Sequence, residues 1–187
     1  VDVISVADPG PKRVEDGAGV SGVTGDHIGD GRHHGGSDQA VYAFAREELD
    51  VWATTLGREL PDGMFGENLT TTGLDVDASE VGDVWHVGTA VLEVRGPRVP
   101  CATFAERLGE RGWVKRFAAH GRSGVYLQVN QPGQIGGTGG DGGNGGNGGR
   151  GASGTTAANG TGGAGTTGGT GGAGGRGGTG GVVLGNG

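Results

Sequence analysis

The sequence predicts an α+β domain, mostly β, followed by a glycine-rich tail. Three observations carry that reading. Short segments between Val84 and Asn130 alternate apolar and polar residues with period two, and other apolar residues recur at helical spacing around Trp52 and Phe117. The composition also breaks near residue 135: 28 of the 49 glycines fall in residues 136–187, and every Trp, Tyr and Phe lies before them. With only Asp141, Arg150 and Arg176 for charge, the tail cannot bury enough apolar surface to offset the entropy of ordering it. The working unit is therefore residues 1–135, enough for one domain with one core, and residues 136–187 form the tail.

In chain order, Val1–Val6 reads as a short strand, broken by Pro9-Gly10-Pro11. Residues 15–36 are rich in Gly and Asp and read as loop with one short strand. Ser37 is a good N-cap for a helix from Asp38 to Leu56, with Val41, Phe44, Ala45, Trp52 and Leu56 on its stripe and Glu48 as its one polar intruder. Gly57 ends it. Val84–Val87 and Thr89–Arg95 read as a hairpin whose apolar face is Ala90, Leu92 and Val94. Thr103-Phe104-Ala105-Glu106 fits a capping box that opens a helix ending at Gly109 or Gly112. Trp113–His120 is a further short helix, Val125–Asn130 a final strand, and Gln131–Ile135 a turn.

The net charge is −7; the tail contributes +1, leaving the head at −8. No basic stripe is visible, so a nucleic-acid polymer is not an expected partner. One cysteine excludes an intramolecular disulfide and an iron–sulfur cluster built from this chain alone. It fits a reducing compartment, so a cytoplasmic location is expected, with cell-surface association through the tail as the alternative. Val1–Arg13 has no apolar run of signal-peptide length, no stretch is long enough to span a membrane, and a first residue Val reads as the start of a fragment.

The single cysteine, Cys101, follows Gly96-Pro97-Arg98-Val99-Pro100. A lone cysteine is most often a small buried hydrophobe. Here two prolines stiffen a turn after a strand, a helix opens at Thr103, and Arg98 is near, which favours a thiolate able to ligate metal. His33-His34-Gly35-Gly36 reads as an anion loop, its glycines permitting close approach and the helix from Asp38 aiming free N–H groups at a phosphate. A plain loop-to-helix turn with solvated histidines is the alternative. Adjacent histidines rarely converge on one ion, which argues against zinc. In Phe65-Gly66-Glu67-Asn68-Leu69-Thr70, Glu67 and Asn68 offer hydrogen-bond acceptors and donors, a pattern that is ordinary on spacing alone. Gly17-Ala18-Gly19-Val20-Ser21-Gly22 matches G-x-G-x-x-G, but no buried strand precedes it and no helix follows, so it is rejected as a dinucleotide fingerprint.

Taken together and in this order, Arg32–Ala40, Phe65–Thr70 and Gly96–Cys101 resemble the MOSC domain, named for the C-terminal part of molybdenum-cofactor sulfurases. The likeness spans about residues 8–135 and is greatest to the small stand-alone bacterial branch that acts on N-hydroxylated compounds. The resemblance implies a distorted β-barrel core, incomplete at both ends, because the family has a longer N-terminal segment and a closing strand after Ile135. It implies a molybdenum cofactor with Cys101 as the metal ligand. Cys101 and Asn68 would be catalytic, and His34, Gly35, Gly36, Gly66, Glu67, Asn68 and Arg98 would bind the cofactor. The implied reaction is reduction of small N-hydroxylated bases or hydroxylamines by oxygen-atom transfer to molybdenum. The sequence holds no flavin or nicotinamide fingerprint, so the electrons would come from a separate reductase. The tail reads in Gly-Gly-X triplets and resembles mycobacterial PGRS repeats, either as polyglycine-II-like helices or as a disordered linker. A non-enzymatic glycine-rich fusion carrying a truncated MOSC segment is the alternative function.

Overall fold

The structure is a computed structural model that describes residues 3–136 and 181–184. Its elements are β1 (Val3–Val6), β2 (Val14–Glu15), β3 (Ala18–Val20), β4 (His27–Ile28), β5 (Val41–Ala45), α1 (Arg46–Leu56), β6 (Leu69–Thr72), β7 (Val84–Val87), β8 (Ala90–Pro97), α2 (Ala102–Leu108), α3 (Trp113–His120), β9 (Val125–Gln131), β10 (Gly133–Gly136) and β11 (Gly181–Leu184). Six strands form one sheet in the order β11-β6-β5-β9-β8-β7, curled into a half-barrel. Within it β5 and β6 are parallel, and the other neighbours are antiparallel. β2, β3 and β4 make a small meander, and β1 pairs with β10, Ile4 opposite Ile135. The fold is α+β, as expected. No helix among the described residues is long and apolar enough to cross a membrane.

The expected helix from Asp38 to Leu56 is three elements. Ser37–Gln39 is a single 3-10 turn without a side-chain cap, Val41–Ala45 is a strand, and the helix begins only at Arg46. All five residues of β5 are buried, so this strand shows no polar alternation and imitates the upstream half of a helical stripe. Odd and even positions nevertheless separate. Val41, Ala43 and Ala45 pack with Leu92, Leu127 and Ile135, whereas Tyr42 and Phe44 join the aromatic cluster of Phe65, Phe104, Trp113 and Phe117. Both clusters thus share one central strand, one on each face of the sheet.

The aromatic cluster seats all three helices. The ring of Phe65 lies 5.1 Å from those of Phe44 and Phe104 and 5.5 Å from that of Trp113. Leu49 and Trp52 bring α1 to the cluster, Phe104 and Leu108 bring α2, and Trp113 and Phe117 bring α3. Glu48, the polar intruder, is buried because His120 Nε2 lies 2.7 Å from one oxygen and Arg122 Nε donates to the other. At Gly88 a Cβ would lie 2.1 Å from the Gln134 carbonyl oxygen, so only glycine lets the β7–β8 turn pass β10.

Other expectations are corrected in detail. The stretch read as residues 15–36 with one short strand holds β3 and β4 and the end of β2. The residue before α2 is Cys101, with no side-chain cap bond, so Thr103 lies inside the helix and the capping box does not form. Gln131–Ile135 is not a turn: β9 runs to Gln131 and β10 follows after Pro132. The Gly-Gly-X runs lie almost wholly outside the described residues. The tail nevertheless adds a strand, Leu184 pairing opposite Leu69 and Gly181 opposite Thr72. Residues 182–184 are Val-Val-Leu, the tail's one run with strand propensity. Truncation before Gly181 exposes the edge of β6 and is expected to lower Tm by about 3 °C, equivalent to about 1 kcal/mol. Calorimetry checks this; an unchanged Tm would show that β11 adds nothing.

Candidate functional site

A cleft of about 410 Å³ opens where the loop before β5, the loop before β6 and the segment after β8 meet. Strand geometry brings them together. The parallel pairing of β5 with β6 sets Asn68 beside Tyr42: Asn68 N–H donates to the Tyr42 carbonyl at 2.9 Å, and Tyr42 N–H donates to Asn68 Oδ1 at 3.0 Å. Antiparallel β9 sets Tyr126 opposite Tyr42, ring centroids 5.4 Å apart. β8 ends at Pro97, opposite Val125, and Arg98 N–H donates to the Gly124 carbonyl at 3.1 Å. The next turn delivers Cys101 to the cleft at the start of α2.

Arg98 is a clamp. Its guanidinium lies 4.7 Å from the ring centroid of Tyr42 and 4.2 Å from that of Phe104, and Nη1 donates to the Phe65 carbonyl. Its Nε is buried without a partner. His34 is half-buried; burial first, and then the Arg98 charge, depress its pKa below the usual histidine range. Its imidazole is therefore neutral at pH 7. Burial pushes the Tyr126 hydroxyl up. Cys101 is a free, partly buried thiol. No group of three His, Cys, Asp or Glu side chains placed to hold a metal occurs among the described residues.

His34, Gly35, Gly66, Asn68, Arg98 and Cys101 all line this cleft. Gly36 and Glu67 do not. Gly36, at φ +88°, packs on Lys12, whose backbone nitrogen would lie 3.1 Å from a Cβ there. Gly35 N–H is taken by Gln39 Oε1 at 3.1 Å, and no α-helix starts until Arg46, so the helix N-terminus on which the expected anion loop relied is not at this loop. Asn68 is tied at both ends of its amide: Oδ1 accepts from Tyr42 N–H at 3.0 Å and Nδ2 donates to Asp26 Oδ2 at 3.1 Å.

Residues 30–138 match the sequence profile of the MOSC domain, which is more than half of the chain. The chain belongs to the MOSC domain family. The uncharacterized protein YflK of Bacillus subtilis is 36% identical over 111 residues, covering 59% of this chain and 50% of YflK. A Gibberella moniliformis protein named "Reductase" is 34% identical over 122 residues, 62% of this chain and 21% of that protein. The crystal structure of YiiM from Geobacillus stearothermophilus superposes with a TM-score of 0.54 at 30% identity, covering 72% of this chain and 71% of that one. The chain thus spans half or less of these two curated relatives.

In this MOSC domain Glu67 supports the cleft from behind. It is fully buried: Oε1 accepts from Gly63 N–H at 2.8 Å and the Thr70 hydroxyl at 3.1 Å, and Oε2 accepts from Phe65 N–H at 2.9 Å. Both oxygens are engaged inside the loop, which corrects the expectation that Glu67 contacts the cofactor. Several cleft residues carried no motif signal: Asp26, Tyr42, Arg107 and Tyr126. Tyr126 was legible in principle, as the aromatic on the off-core face of an alternating strand. Asp26, in a Gly-rich loop, was not.

Burial, despite the donors from Gly63, Thr70 and Phe65, raises the Glu67 pKa above its ordinary value of 4.5. The folded chain therefore keeps this proton to higher pH than the unfolded chain. The group's contribution to stability is fully present below 4.5 and is lost as pH rises through the raised value. Glu67→Gln turns an amide N–H toward converging donors. It is expected to cost about 2 kcal/mol and to flatten the pH dependence in that window. Thermal unfolding across pH checks this; a variant as stable as wild type would contradict it.

Proposed function

We propose that this MOSC domain binds a molybdenum cofactor through Cys101 and reduces small N-hydroxylated bases or hydroxylamines. The observation that carries the reading is the convergence of three separate sequence motifs, with the one free thiol, on a single cleft. The residues fit the group. The volume lies within the range of small-molecule sites, about 300–1,000 Å³. Among the described residues no group of three His, Cys, Asp or Glu side chains is placed to hold a metal, which suits a single thiolate ligand to a metal whose other ligands belong to the cofactor. Arg98 and Arg107 supply positive charge for its phosphate.

Cys101 would anchor the metal, and Asn68, Tyr126 and His34 would shape the space in front of it. When bound, the cofactor supplies oxygen-atom acceptance together with two electrons. The reaction balances as an N-hydroxy group, two electrons and two protons giving the N–H product and water. His34, held neutral, presents one N–H and one lone pair, the pair of functions needed to pass a proton toward the departing oxygen. Re-reduction would fall to a separate reductase. The relative that bears the name "Reductase" supports a redox role, and a free thiol ligand suits a reducing compartment such as the cytoplasm.

The test is metal analysis of the full chain made in a cofactor-producing host, with benzamidoxime reduction assayed alongside. Wild type is expected to contain molybdenum and turn over; Cys101→Ser is expected to fold, lose molybdenum to background and lose turnover. Full molybdenum occupancy in Cys101→Ser would overturn the ligand assignment. A wild-type chain without molybdenum or turnover would favour the non-enzymatic fusion.

A further inference from the structure

We propose that Asp26 is the specificity-determining acceptor of this cleft, selecting substrates that carry an N–H donor next to the N–O group. The inference rests on the reductase reading and adds to it a residue outside all three motifs. Asp26 lines the cleft. Its Oδ2 accepts from the Ser21 hydroxyl at 2.8 Å and from Asn68 Nδ2 at 3.1 Å. Asn68 is in turn fixed through Oδ1 by Tyr42 N–H at 3.0 Å, on the central strand of the sheet. The carboxylate is thus held on one oxygen by groups anchored in the fold.

The other oxygen, Oδ1, accepts no hydrogen bond from the described residues and is not among the buried atoms left without a partner. A carboxylate pinned on one side and open on the other is a prepared acceptor, and an N–H or O–H donor from a ligand satisfies it without reorganisation. The cations of the cleft do not fill that role. Arg98 is committed to Phe65 and to two aromatic faces, and Arg107 donates to the Gly63 carbonyl at 3.1 Å. The cleft therefore holds both fixed positive charge and a fixed negative acceptor, an arrangement complementary to a polar substrate.

An N-hydroxyamidine, or an aminopurine hydroxylated on its exocyclic nitrogen, matches this arrangement. The N-hydroxyamidine carries an NH2 on the carbon attached to the N–O nitrogen, and the aminopurine carries a ring N–H there in its hydroxyimino tautomer, so one edge can face Asp26 while the N–O bond faces the Cys101 side. A tertiary or heteroaromatic N-oxide has no such donor and gains nothing from Asp26. In this scheme Ser21 and Asn68 are positioning residues that act through the carboxylate.

The experiment uses the full chain purified with whatever cofactor it retains, and measures binding of benzamidine and of pyridine N-oxide by calorimetry. Asp26→Asn is expected to weaken benzamidine about tenfold or more and to leave pyridine N-oxide unchanged. Ser21→Ala, which removes one of the two pins, is expected to give a smaller loss, about threefold, and keeps the test informative if Asp26→Asn melts early. Benzamidine binding that is absent in wild type, or equal in wild type and both variants, overturns the role of Asp26. Intact benzamidine binding in a chain that never reduces benzamidoxime overturns the reductase reading instead, leaving the acceptor site standing.

Discussion

The Arg98 guanidinium, held between the faces of Tyr42 and Phe104, is the contact on which the rest of the site depends. It joins three parts of the chain distant in sequence: the central strand β5, the loop of Phe65, and the segment that leads into α2. Each aromatic face contributes about 1–2 kcal/mol when the cation is partly desolvated. Leaving Nε buried without a partner costs about 1–3 kcal/mol. The two rings and the Phe65 carbonyl together offset that cost, and lysine, with no planar face to stack, would not replace arginine here.

Because Arg98 is clamped, the residues on either side of it are placed. Cys101 lies three positions on and enters the cleft at the first turn of α2. Phe65, tied to Arg98 through its carbonyl, carries a loop whose carboxylate, Glu67, folds inward to collect three donors rather than outward to meet a ligand. That loop ends at Asn68, whose amide couples Tyr42 to Asp26. Aromatic packing on one face of β5 and the hydrogen bonds at its edge therefore control which polar groups reach the cleft.

How much of this was legible in the sequence depended on pattern. The β7–β8 hairpin and α3 have clean periodicity on one apolar face, and they stand where they were expected. β5 does not, because a strand buried on both faces shows neither alternation nor a polar side, and Arg46 was needed to mark the true helix start. The motif residues His34, Asn68, Arg98 and Cys101 all line the cleft. The motifs could not separate residues that face the cleft from those that hold it up. Glu67 and Gly36 sit in the same motifs yet turn away, since that choice is made by donors and backbone contacts contributed from elsewhere. Asp26 stands in none of the motifs, and its place in the cleft is set by Ser21 and Asn68 converging on one carboxylate oxygen.

A double-mutant cycle between Arg98→Met and Phe104→Leu, read by chemical denaturation of the full chain, tests the clamp most directly. If the cation is held by the ring as described, the two substitutions are non-additive, with a coupling energy of about 1 kcal/mol or more. Strict additivity, with each variant losing only what its own buried area predicts, would show that Arg98 and Phe104 are neighbours without an energetic link, and the account of how the cleft is assembled would fail.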